Sequence, residues 1–248
     1  MRRRGSARNA ASCHVGSGPW MDSEMPEDRF RPQDRDPAAE AIPDLLERAL
    51  SRDLPGEAAH RKAIPAGYTR GSIAKGAASS EASVLLALHP GDAPGQIFFP
   101  LILRPAQMLL HAGQVSLPGG ARNAGETPIE CALREAWEEV GLRPETVRVL
   151  GRLTPITIPV SSYRVEIVVG WTPVRPAYSL HEREVLKIVL GDPARLVEEG
   201  PSDWVETSGP GGTWRHPAYL VEGEKVWGAT ALIVAEFLEV WRGLRGSR

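Results

Sequence analysis

The stretch "GGARNAGETPIECALREAWEEVGL", residues 119–142, decides how the rest of the chain is read. It signals a helix at both ends. Thr127 is placed to be the N-cap, Pro128 suits the first helical position, and Glu130, three residues after Thr127, completes a capping box. Gly141 is placed to take the left-handed conformation that closes a helix. At about 100° per residue, Ile129, Leu133, Ala136 and Val140 share one narrow stripe, the predicted buried face. Glu135, Glu138 and Glu139 fall on the far side, where their i, i+3, i+4 spacing brings three carboxylates together.

That placement opposes helix stability. Carboxylates near a helix C-terminus meet the negative end of the dipole, and they repel one another. Arg134 is the single cation within the helix. A solvated acidic face would leave this position unexplained. A hard divalent cation explains it, because Mg²⁺ takes oxygen ligands and keeps positions open for phosphate.

Outward from this helix, "SVLLALHP" (83–90) and "QIFFPLILR" (96–104) read as strands of a hairpin joined by the turn-rich "GDAPG". "GQVSLPGG" (113–120) is a short extended piece that breaks at Pro118. Two further strands are predicted over 147–158 and 162–173, and a short one over 184–190. Helices are predicted over 42–51 and 193–200, and "WGATALIVAEFLEVWRGL" (227–244) forms a closing helix packed on the core. Pro- and Gly-rich segments at 89–95 and 208–212 read as short loops. Strands with helices at both ends and in the middle imply an α/β sandwich. The two do not alternate regularly, which argues against a doubly wound parallel sheet.

Composition bounds the function. A net charge of −2 argues against a nucleic-acid or anionic-membrane surface as the main partner. The two cysteines, Cys13 and Cys131, suggest neither a disulfide framework nor a structural zinc site, so a cytoplasmic location is expected. The longest apolar runs, such as "IFFPLIL" (97–103), are too short to span a bilayer. Residues 1–40 show no hydrophobic pattern and are expected to be a disordered extension, with Met21 or Met25 as alternative starts; residues 41–244 are expected to form one domain.

Gly120, Glu126, Arg134, Glu135, Glu138, Glu139 and Gly141 together match every fixed position of the pattern Gly-x5-Glu-x7-Arg-Glu-U-x-Glu-Glu-x-Gly-U, where U is a bulky aliphatic residue. Leu142 fills the second U, and Ala136 is smaller than the usual first. The stretch thus resembles the Nudix box. The resemblance implies a Nudix fold, with a mixed β-sheet between helices (α/β/α). It also implies Mg²⁺- or Mn²⁺-dependent hydrolysis of a nucleoside diphosphate linked to another group. It makes Glu135, Glu138 and Glu139 metal ligands and assigns catalytic roles to Glu135, Glu139, Arg134 and Glu126. Arg134 would orient a ligand carboxylate, Glu126 would support the loop, and Glu135 or Glu139 would accept the proton of the attacking water. Glu184 is a candidate base from outside the box, with a solvated glutamate as the alternative.

The segment "LILRPAQMLLHAGQVSLPGG" (101–120) further resembles the coenzyme A pyrophosphatase branch of that family, through Arg104, His111, Gly113, Gln114, Pro118, Gly119 and Gly120. Pro105, Leu109 and Leu117 depart from the branch pattern, which has Ser or Ala, Arg and Phe at those positions. "EVLKIVL" and "VWGATALIVAEFL" are also similar to segments of that branch. The resemblance places Arg104, Gly119, Gly120 and Gln114 in substrate binding. It implies hydrolysis of CoA or acyl-CoA to 3′,5′-ADP and (acyl-)4′-phosphopantetheine. The alternatives are another nucleoside diphosphate derivative (ADP-ribose, a dinucleotide polyphosphate, a dNTP) or a non-catalytic nucleotide-binding module. The expected partner is a small molecule, with no nucleic acid or membrane and with a homodimer allowed.

Overall fold

A computed structural model of the chain describes residues 37–65, 80–107, 113–158, 162–209 and 212–245. His111, Leu109 and the N-terminal residues 1–36 lie outside that set.

The centre is a seven-stranded mixed sheet. Strand β1 (Ser80–Pro90) runs parallel to β6 (Tyr163–Trp171) along the whole length of β6, from Ser80 opposite Tyr163 to Leu88 opposite Trp171. The other edge of β1 is shared. Near its start it pairs with β4 (Gly119–Ala121), and near its end with β2 (Ile97–Leu103), both antiparallel. β2 in turn carries β3 (Val115–Ser116) and β7 (Lys187–Gly191), and β5 (Arg148–Ile158) closes the far side against β6. Every pairing except β1–β6 is antiparallel.

Alternation along β1 sends side chains to both faces, as the two-residue period of a strand requires. Leu86 and Leu88 enter the larger core, built with α1 (Pro37–Leu50) and α5 (Gly228–Arg245), where Phe99 meets Phe237 edge-on at 5.8 Å. Leu85 and Ala87 face the other side, against Ala132, Ala136 and Val140 of α3 (Pro128–Val140). The sheet therefore lies between α3 and the α1/α5 pair, the expected α/β/α sandwich.

The predicted helix is α3, and its ends are as the sequence indicates. Thr127 Oγ1 accepts from the Glu130 N–H, the Glu130 carboxylate accepts from the Thr127 N–H, and Gly141 has φ 71°. Its buried face keeps Ala136 and Val140, with Leu133 partly buried, but is shifted at the start. Ile129 is exposed, whereas Cys131, Ala132, Ala136, Val140 and Glu139 are buried. Small residues let α3 lie close over β1 and β4, which turns Glu139 inward rather than to the far side.

Four of the remaining elements, a short helix and three strands, were not anticipated in sequence. α2 (Gly56–His60) is a five-residue helix, and α4 (Pro193–Glu199), which was expected, leads to an antiparallel sheet of β8 (Asp203–Gly209), β9 (Gly212–Val221) and β10 (Glu224–Val226). Ser208, Gly209 and Gly212, read in sequence as part of a short loop, are strand residues of the β8–β9 pair, with Gly209 opposite Gly212.

Candidate active site

The site is assembled where the segment before α3 crosses the sheet and meets the C-terminal half of that helix. Pro118 O accepts from the Leu85 N–H at 2.9 Å, which fixes the chain as it passes from β3 to β4. Two glycines follow, and each is required by a close approach. A Cβ on Gly119 would stand 2.4 Å from Ser83 O and 2.6 Å from Val84 Cα, both backbone atoms of β1. A Cβ on Gly120 would stand 2.5 Å from the Glu135 carboxylate. Gly120 therefore leaves the space that the Glu135 head group fills.

Glu139 is the most enclosed of the three helix carboxylates. One oxygen, Oε2, accepts from the Gly119 N–H at 2.8 Å, and the other, Oε1, from Arg104 Nη2 at 3.0 Å. Burial pushes its carboxyl up to about 7, against the lowering pull of Arg104 and the Gly119 N–H, with Glu135 and Glu184 raising it further. Burial likewise raises Glu135, opposed by its bond from Arg134 and reinforced by the charges of Glu138 and Glu184. Glu138 is half exposed.

Arg134 spans the remaining carboxylates. Its Nε and Nη2 form a fork on Glu126 at 2.7 and 3.0 Å, while Nη1 donates to Glu135 at 2.7 Å and to Glu138 at 3.1 Å. Bidentate charge-assisted pairs are the strong members of their class. The bonds from Arg134 hold the Glu126 carboxyl below its ordinary value, and those from Glu126 and Glu135 raise the guanidinium. Glu126 also accepts from the Asn123 N–H at 2.9 Å, which closes the loop ahead of the helix.

Glu184 joins this group from the segment between β6 and β7. That segment covers the end of α3, with the Ser179 and His181 N–H groups donating to Val140 O and Glu139 O, and the Leu186 N–H to Leu103 O. Glu184 is half exposed, and its charge reaches both Glu135 and Glu139. Gln114 O accepts from the Arg104 N–H at 3.0 Å and fixes the start of the crossing segment.

Five carboxylates (Glu126, Glu135, Glu138, Glu139 and Glu184) thus face two guanidinium groups, a formal excess of three negative charges. Among the described residues no three His, Cys, Asp or Glu side chains converge closely enough, as they stand, to hold a metal ion. The two arginines bond to oxygens of these carboxylates, and each such oxygen keeps a further lone pair that a cation could take. The donor set is all oxygen, half-desolvated and short of positive charge, which suits a hard divalent ion and not a thiolate- or imidazole-seeking one.

An α/β/α sandwich with a glycine-lined crossing and a carboxylate-rich helix end defines a candidate phosphate- and cation-handling site. Residues 101–204 match the family model described as NUDIX domain. An uncharacterized Nudix hydrolase NudL of Citrobacter koseri is 36% identical over 160 residues, covering 63% of this chain and 80% of that protein. The NudL of Pectobacterium atrosepticum is 39% identical over 140 residues, covering 54% of this chain and 70% of its own. A solved Nudix hydrolase from M. smegmatis, RenU, is similar at 19% identity with a TM-score of 0.48, covering 66% of this chain and 86% of that one. The chain belongs to the Nudix hydrolase family. Its members are hydrolases of small nucleoside diphosphate derivatives and generally need divalent metal ions. Among the described residues no helix is long and apolar enough to cross a membrane.

Proposed function

We propose that this hydrolase cleaves the diphosphate of CoA or acyl-CoA, with Mg²⁺ or Mn²⁺, to 3′,5′-ADP and (acyl-)4′-phosphopantetheine. The observation that carries the reading is the position of the segment before the box. Of the residues through which that segment resembles the CoA branch, Arg104 and Gly119 bond to Glu139, Gly120 lies against Glu135, and Gln114 holds the Arg104 backbone. A substrate whose diphosphate lies at the helix end would therefore meet that segment.

Glu135, Glu138 and Glu139 would hold the metal. Bound there, it would neutralise charge on the diphosphate oxygens and make a water nucleophilic. The chain supplies the rest. Arg134 keeps Glu135 and Glu138 in register through its fork on Glu126, so the carboxylates keep their geometry when charge changes nearby. Gly119 and Gly120 keep side chains out of the space above the crossing segment, where backbone can approach phosphate. A carboxylate of the cluster takes the proton of the attacking water as the P–O bond to the bridging oxygen breaks.

Chromatography of a CoA digest with Mg²⁺ or Mn²⁺, run beside ADP-ribose, a dinucleotide polyphosphate and an oxidised dNTP, tests the assignment. The expected products are 3′,5′-ADP and 4′-phosphopantetheine. Cleavage of another substrate with CoA intact would replace CoA by that nucleoside diphosphate derivative. Leu109, where the branch has Arg, is the sequence feature that favours this second reading.

A further inference from the structure

Arg104 leaves the end of β2 and does not point out to solvent. Its side chain is 17% exposed, and the guanidinium is held by three partners. Nε donates to Ser116 Oγ at 3.3 Å, and Nη2 donates both to Gly119 O at 3.2 Å and to Glu139 Oε1 at 3.0 Å. Its backbone is fixed as well, with its N–H on Gln114 O and its carbonyl accepting from the Gly113 N–H. Since the Gly119 N–H donates to Glu139 Oε2, three groups close a ring: guanidinium to Gly119 carbonyl, Gly119 amide to carboxylate, carboxylate back to guanidinium. Both oxygens of Glu139 are thereby oriented by a strand end and a loop remote from its own helix.

We propose that Arg104 is a positioning residue for Glu139: it aims the buried carboxylate at the divalent cation and ties it to the glycine crossing on which the diphosphate would rest. This rests on reading Glu139 as a metal ligand. The geometry explains why an arginine is needed. A planar fork reaches a carbonyl, a hydroxyl and a carboxylate at fixed angles, whereas an ammonium is a single mobile point of charge. Partners that orient a ligand in this way typically affect metal affinity by about 10–100-fold. On this account the guanidinium is spent within the protein, and the substrate's phosphates are recognised by other groups.

Mn²⁺ titration followed by electron paramagnetic resonance, without substrate, tests this. Arg104→Met is expected to weaken Mn²⁺ binding by about tenfold or more, and Arg104→Lys to restore it only partly. The near-ultraviolet circular dichroism spectrum, recorded alongside, identifies any variant that fails to fold. If Arg104→Met misfolds, Arg104→Lys carries the test by itself. Unchanged or tighter Mn²⁺ binding in a folded variant, with a raised KM for substrate, would make Arg104 a phosphate-binding group and overturn the proposal. Glu139→Gln is the control. If it leaves Mn²⁺ binding intact, it is the metal-ligand reading that fails, and the CoA assignment is decided separately by the product analysis.

Discussion

Among the described residues two glutamates are almost completely buried, one on each face of the sheet, and their surroundings are opposite. Glu236, on α5, is surrounded by donors: Gly56 N–H at 3.1 Å, His60 Nε2 at 3.0 Å, and the Thr154 hydroxyl and N–H at 2.6 and 3.3 Å. Burial alone would raise its carboxyl, yet the bonds from His60 and Thr154 hold it below the ordinary value. Glu139, on α3, has two donors and faces the charges of Glu135 and Glu184, and its carboxyl is pushed up to about 7. The first carboxylate is satisfied by the fold and ties α2, β5 and α5 together. The second is left short of positive charge beside a glycine crossing. Burial therefore does not set the titration of these two acids by itself; the balance of donors and like charges around each decides its direction.

The largest effect should come from removing the under-compensated acid. Glu139→Gln is expected to lower kcat by about 10²–10⁴-fold, measured as steady-state turnover on the cleaved substrate. Thermal melting without metal should be unchanged or higher, since a repulsive charge is lost. On the other face the consequences invert. Glu236→Ala should cost about 3 kcal/mol in urea unfolding, by breaking a buried hydrogen-bonded pair, while kcat of the folded fraction stays near that of the parent. Gly120→Ala comes next. Its Cβ would collide with the Glu135 carboxylate, so activity should fall by about tenfold or more with little change in melting temperature.

The acid limb sharpens the contrast further. A carboxylate with a depressed folded-state pKa adds stability above its unfolded value, about 4.3, and loses it as pH falls through the lower folded value. Glu236 is such a group, so Glu236→Gln should flatten the decline in stability on that limb, read as urea midpoints between about pH 5 and pH 3. The smallest effect is at the helix start. Thr127→Ala should cost about 1 kcal/mol of stability through the lost cap, with turnover nearly unchanged.

What could be read in sequence depended on how local its cause is. The caps of α3, the box and most strands of the central sheet follow from neighbouring residues. The inward turn of Glu139 does not, because its partners Gly119 and Arg104 lie 20 and 35 residues away. Hydrophobic spacing chose a stripe of Ile129, Leu133, Ala136 and Val140; Ala136 and Val140 are buried and Leu133 packs partly buried, but Ile129 is exposed and the smaller Cys131 and Ala132 are buried beside them. The strand pair β8–β9 escaped notice for a different reason: none of residues 203–208 of β8 is buried, so that stretch carries no apolar period. The bonds to Glu236 from His60, 176 residues away, and Thr154, 82 away, are equally invisible along the chain.

The most direct test of the central claim is the Mn²⁺ affinity of the parent protein against that of Glu139→Gln, measured by electron paramagnetic resonance without substrate. If the carboxylates at the end of α3 form a cation site, the parent binds Mn²⁺ and the variant loses most of that binding. Equal affinity in the two proteins would contradict the account.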